Sequence, residues 1–201
     1  MRFIIGLSAV FTIAFGGIIP LRRDFSDHLS LGNISWAGIL EEGGPRVEVT
    51  GSSFEDIERQ IQSTKPDFTW DSIKPFNPPA TGQGNTDTYV NCNEGSGQTS
   101  VGRIGEGIAY LRSKPGDCRA AARPAEQLRS CGRVSCSYNA AIQLCSTATN
   151  DIWMPCATIG DYAQTILNHC TQPGIIASDA LVQGTKHDPT GMFVEVGDDS
   201  C

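Results

Sequence analysis

The first 91 residues of this 201-residue chain contain no cysteine, although the chain carries eight. Histidines number three, and 15 Lys+Arg face 22 Asp+Glu, a formal net charge of −7. That cation deficit argues against a nucleic-acid partner or an anionic membrane surface, both of which are bound by neutralising phosphates. No Gly-x-Ser-x-Gly elbow occurs, so the signature of a serine hydrolase is missing. The tightest cysteine spacing is Cys131-x4-Cys136, without the short Cys-x-x-Cys knuckles of a zinc site. No metal and no cofactor is expected.

What is present begins with an export signature. Arg2 precedes "FIIGLSAVFTIAF", Phe3 to Phe15, and small residues at Ala14 and Gly16 suit a cut after Gly16. The apolar stretch is shorter than the roughly 20 residues of a membrane-spanning helix. Residues 1–16 therefore read as a signal peptide, and no later segment reads as a span. The mature protein is expected to be soluble and extracellular. There, an even and clustered cysteine set implies disulfides.

Residues 17–85 read as an acidic, cysteine-free extension or propeptide. Arg22-Arg23 is either a site for a processing protease or two solvated arginines. Asn33-Ile34-Ser35 is an N-glycosylation sequon, with Asn33 the acceptor. "SSFEDIERQI" reads as a short amphipathic helix with Ser52 and Glu55 at capping-box spacing. Phe54, Ile57 and Ile61 form its stripe. A helix this short is marginal alone, so it either docks on the downstream domain or waits for a partner. "KPFNPPATGQGNTDT" then reads as a linker.

The cysteine-rich core, residues 86–201, holds 8 Lys+Arg against 12 Asp+Glu, a formal charge of −4. "TYVNC" predicts a strand. Val101, Ile104, Ile108 and Leu111 predict a helix ended by Pro115-Gly116, weakened at Gly102, Gly105 and Gly107 by about 1 kcal/mol each. "CGRVSCS" and "AAIQLCS" predict a hairpin around Tyr138-Asn139. A second helix runs from Pro155 through Cys170, and strands follow at residues 180–183 and 192–196. "GTKHDPTG" reads as a turn. The fold class is α+β: a compact α/β sandwich with a mostly antiparallel sheet, two helices on one face, β-α-β-β-α-β order plus an extra strand, and four disulfides.

At about 100° per residue, Cys156, Ile159, Ala163, Ile166, Leu167 and Cys170 share one helix face. The second helix should thus be sewn to the sheet at both ends, with His169 pointing away. In the hairpin, a three-residue loop Tyr138-Asn139-Ala140 puts Cys136 opposite Ile142, facing the helices with Val134. Cys131 and Cys145 then lie diagonally on the outer face, where they can pair. A two-residue loop, which mates Cys136 with Ala141, is the alternative. Parity alone leaves the rest of the connectivity open.

For catalysis, His169 or His187 could act with Glu94, Glu106, Glu126 or Glu195 in a nuclease-like hydrolase. Their spacing marks no pair, and His28 lies in the extension. Surface placement of each histidine is the plainer reading. Tyr138, Trp153 and Phe193 read as packing residues before contact residues.

"YVNC", the Gly-interrupted helix, "CGRVSCSYNAAIQLC", "PCATIGDYAQTILNHC" and the closing "GMFVEVGDDSC" resemble small secreted cysteine-rich fungal proteins. Within these they are similar to the virally encoded smut killer toxin family. The resemblance spans residues 88–201. It implies the bridges Cys92–Cys170 and Cys136–Cys201, extends to Cys118–Cys156, and leaves Cys131–Cys145 as the remainder. That family is basic and limits calcium uptake through an exposed lysine. This core is acidic, and neither of its lysines, Lys114 and Lys186, aligns to that role. The expected function is a secreted, monomeric, disulfide-stapled effector or killer-toxin-like protein that binds a membrane protein or cell-wall component of another cell. A small secreted hydrolase and a cell-wall carbohydrate-binding module are the alternatives.

Overall fold

A computed structural model of the chain describes residues 32–73, 88–174 and 180–201. The expected signal peptide, Arg22-Arg23, His28 and the expected linker beyond residue 73 lie outside the described residues. The order is β1 (Ile34–Ile39), β2 (Arg46–Gly51), α1 (Phe54–Gln62), a 3-10 turn (Trp70–Ser72), β3 (Tyr89–Asn91), β4 (Thr99–Ser100), α2 (Val101–Arg112) and β5 (Asp117–Ala120). It continues with β6 (Ser130–Ser137), β7 (Ala140–Ser146), β8 (Ile152–Pro155), α3 (Cys156–Cys170), β9 (Leu181–Val182), β10 (Gly184–His187) and β11 (Met192–Asp198). The architecture is α+β and antiparallel throughout its named strand pairs.

The apolar spacing explains the central layer. Five strands in the order β3-β10-β11-β7-β6 carry α2 and α3 on one face. Ile142, Leu144, Val194 and Val196 meet Ile104, Ile108, Leu111, Ile159 and Ile166 there, each no more than 2% exposed. Burial of such a side chain contributes roughly 1.5–3 kcal/mol. Of the three glycines of α2, Gly107 is the one with a packing reason. A Cβ there would lie 2.7 Å from Ser135 Oγ and 3.1 Å from Ile142 Cδ1, whereas Gly105 faces open space.

The hairpin corrects the three-residue loop. Tyr138 (φ 51°) and Asn139 (φ 61°) both take the left-handed conformation and close a two-residue turn, the geometry that matches strand twist. Ser137 pairs with Ala140 and Cys136 with Ala141. Val134 is then an extra residue bulged between the Arg133–Gln143 and Ser135–Ile142 pairs. Cys136 therefore shares the outer face with Ala141 and does not point at the helices. The bulge resets parity, so Val134 is still buried and Cys131 stands directly opposite Cys145.

"GTKHDPTG" also needs correction. Gly184–His187 is strand β10, and the turn is confined to residues 188–191, where Gly191 N donates to Asp188 O. The extra strand, β9, pairs with β4 outside the main sheet.

The bridges are Cys92–Cys170, Cys118–Cys156, Cys131–Cys145 and Cys136–Cys201. All eight cysteines are consumed. Helix α3 is stapled at its end beside β3 and at its start to β5, which belongs to a second sheet.

That second sheet, β2-β1-β5-β8, joins the extension to the core. The extension docks: β1 pairs with β5 along Ser35–Arg119, Trp36–Cys118 and Ala37–Asp117. Trp36 is fully buried, and its Nε1 donates to Pro115 O at 2.6 Å. Gly116 (φ +88°) has no room for a side chain, since a Cβ would sit 2.7 Å from that nitrogen. The stripe of α1 is buried as its spacing predicts. Its cap is Ser53, not Ser52: Ser53 Oγ accepts from Asp56 N, and Asp56 returns the contact by accepting from Ser52 N. Lys114 of the core is buried, with Nζ 4.2 Å from the Tyr110 ring and 4.7 Å from the Trp70 ring. Burial lowers its pKa, against the opposing pull of Glu58, Glu55 and Asp71. Finally, Gly32 N donates to Cys131 O at 2.9 Å, which closes the start of the outer edge of β6.

Candidate functional site

Strand alternation puts one set of side chains on the helices and the other on the outer face of the five-stranded sheet. Register then builds two ladders across that outer face. One runs Tyr89–His187–Phe193–Cys145–Cys131, and the other Asn91–Thr185–Glu195–Gln143–Arg133. The first is aromatic and ends in a disulfide. The second is entirely polar.

In the first ladder three rings are piled face to face. Tyr89 and His187 have centroids 4.5 Å apart and planes within 4°, and His187 and Phe193 are 4.7 Å apart within 16°. His187 Nε2 lies 3.1 Å from Glu94 Oε2 and 2.9 Å from Thr185 Oγ1, which itself donates to Glu94 Oε2 at 3.0 Å. Burial alone would raise Glu94. The hydrogen bonds from Thr185 and His187, with charge from His187 and a bond from Asn91, outweigh it and hold the carboxyl below its ordinary range.

In the second ladder Glu195 sits on the middle strand and is 1% exposed. Arg129 Nη1 reaches its Oε2 at 2.8 Å, with the guanidinium 5.9 Å from the Phe193 ring centroid. The connection carrying Arg129 is pinned by Arg123, whose N donates to Ala148 O and Nε to Thr147 O. At the far end, Asp199 Oδ2 accepts from Arg133 and Gln143, beside the Cys136–Cys201 bridge.

The chemistry open to this face follows from those contacts. Thr185 and Glu94 both engage the same imidazole nitrogen, and Thr185 is buried. A relay from acid through imidazole to hydroxyl nucleophile needs two different ring nitrogens, so Thr185 is not an activated nucleophile. What remains is a proton-transfer pair, His187–Glu94, and a charge-compensated carboxylate, Glu195–Arg129.

Of the residues singled out in the sequence, Glu94, His187, Glu195 and Phe193 come together on this face. His187 is held in the ring pile and is not a solvated turn residue. His169 is exposed on α3, its Nδ1 at 2.8 Å from Thr165 O. Glu106 pairs with Arg103 on α2, and Glu126 is exposed. Tyr138 is exposed at the turn beneath Arg103, and Trp153 of β8 packs under Arg46 and Arg119. Asn33 is exposed just before β1, while Ser35 is buried against Thr50 and Arg119. Among the described residues no cluster of three His, Cys, Asp or Glu could hold a metal. Among them, too, no helix is long and apolar enough to cross a membrane.

Sequence reasoning did not single out Tyr89 as a contact residue, nor Asn91, Thr185, Gln143, Arg129 or Arg133. One signal was available. In "MFVEVGD" the apolar Val194 and Val196 alternate with Phe193 and Glu195, which places the latter pair opposite the core. No protein-family model, no curated protein and no solved structure matches the chain.

Proposed function

We propose that this protein is an exported, disulfide-stapled effector of the killer-toxin-like kind, working as a monomer that binds a component of another cell. The observation that carries the reading is the covalent pinning of α3 to both sheets, with a third bridge closing the aromatic ladder of the outer face. Such a scaffold loses little freedom on binding, which favours recognition by a preorganised surface. Four bridges suit an oxidising, extracellular setting. Purified protein applied to competing fungi and to plant tissue should change growth, ion uptake or viability. A flat response across a broad panel would sink the reading.

A second reading, a small secreted hydrolase, is favoured by the His187–Glu94 contact at 3.1 Å, which joins residues 93 apart in sequence. Assay against RNA, peptides and glycans decides it. A measured turnover that is lost in both His187→Ala and Glu94→Gln, with the melting transition retained, would replace binding by catalysis as the function.

A further inference from the structure

We propose that the corner of the outer face formed by Tyr89, Glu94 and Asn91 is a subsite for a neutral hexopyranose unit of a cell-surface polysaccharide. The inference rests on the binding reading above and names its partner.

Tyr89 lies on β3, the end strand of the sheet, and is 56% exposed although it is a large aromatic. One face of its ring is covered by His187, which is itself backed by Phe193. The exposure therefore belongs to the other face and the rim. Exposed tyrosines are ordinarily free to swing. This one is the outer layer of a three-ring pile anchored on strand neighbours, so it presents a fixed aromatic plane. A flat apolar plane with a polar edge is the chemistry that takes the C–H face of a sugar ring.

The hydroxyls of such a ring need fixed acceptors and donors beside the plane. Glu94 supplies the acceptor. Its Oε2 is held by Thr185 and His187, which orients the carboxylate, while the side chain remains half exposed. The pull of those donors keeps it ionised and hence acceptor-only. Asn91, next on the same face of β3, has Oδ1 accepting from Asn93 N, so its amide is oriented too.

Charge selects among glycans. The chain carries −7 overall and the corner contributes a carboxylate, so an anionic sugar would be repelled. A neutral glucan or chitin-type chain incurs no such penalty.

The experiment uses the whole exported protein, titrated with laminarihexaose, chitohexaose and cellohexaose, with oligogalacturonate as the anionic control, by NMR shift perturbation. At least one neutral hexasaccharide should bind, with shifts centred on Tyr89, and oligogalacturonate should not. Tyr89→Ala should weaken binding by about tenfold or more, and Glu94→Gln by several fold. Tyr89→Phe, which keeps the plane, should stay within about threefold. No binding of any neutral chain at millimolar concentration, or equal binding by folded Tyr89→Ala, overturns the subsite. The cell assay is run on the same variants. A wild-type response that persists in a Tyr89→Ala variant that no longer binds glycan sinks the polysaccharide as the effector's partner and leaves the effector reading standing. Loss of the response in wild type sinks the effector reading itself.

Discussion

The molecule solves the problem of a small core twice, by different means. Residues 88–201 carry four disulfides, and residues 32–73 carry none. The cysteine-free region instead concentrates aromatic rings. Trp70 meets Trp36, Phe54 and Phe68 edge-on with centroids 5.3–5.6 Å apart. Its polar links to the other region include Trp36 to Pro115, Ser35 to Arg119, and Glu55 to Tyr110, whose hydroxyl burial and that bond push up its pKa. A region that borrows a finished wall needs area and shape but no crosslink. The region that builds the wall needs the crosslinks.

The sharpest way to break this contrast is to separate the regions. Protein recovered from its natural source should retain residues 32–73, as intact mass will show. A chain beginning at Thr86 should keep a cooperative melt, because its four bridges remain, but with lowered stability, because the edge of β5 and the sites of Trp36, Phe54 and Trp70 would be laid open. Trp36→Ala in the full chain should cost about 3–5 kcal/mol in denaturant titration. A chain from Thr86 that shows no cooperative melt at all would refute the borrowed-wall account.

Next in size are the crosslinks. Paired Cys→Ala changes should cost about 2–4 kcal/mol each. The loops closed span 78 residues for Cys92–Cys170 and 14 for Cys131–Cys145. Chain entropy then makes the first the costlier loss by about 1.5 kcal/mol. The reverse order would show that the outer-face bridge acts through the folded state.

Gly116→Ala tests the seam. It places a Cβ against the Trp36 indole at a positive φ, and should cost about 1–3 kcal/mol. Lys114→Met should cost less, about 0.5–2 kcal/mol, through lost cation–π contacts.

Smallest is the pH effect. Burial would raise Glu55, Glu94 and Asp188, but their hydrogen bonds more than offset it and depress all three. A depressed carboxyl contributes stability that is full above its unfolded pKa, 4.5 for Glu and 3.8 for Asp. That contribution disappears as pH falls through the lower folded value. Melting temperature should hold from neutrality to about pH 5 and decline below pH 4.5. Glu94→Gln should flatten part of that decline.

Much of the core could be read in the sequence because its signals are local. The stripe of Val101, Ile104, Ile108 and Leu111 marks α2, and Cys156 and Cys170 bracket the apolar face of α3. The strands β1, β2, β5 and β8 gave no such signal. Asp117–Ala120 is four residues long with a charge at alternate positions, and Ile152–Pro155 ends in proline. Each is a strand because a neighbour pairs with it. The candidate site was hidden for the same reason. Glu94 and His187 meet only because β3 pairs with β10, and no residue near either announces that pairing. The bulge at Val134 is equally silent: with the two-residue turn, its one extra residue moves Cys131 from opposite Ser146 to opposite Cys145.

The outer margin of β6 has a consequence for crowding. Gly32 bridges its start at Cys131 and Gly132, and the bulge at Val134 breaks the regular spacing of backbone donors and acceptors beyond it. A second copy approaching from that side finds no straight template to extend. Concentrated stock should therefore stay free of fibres, even though its longest hairpin ends at the rim.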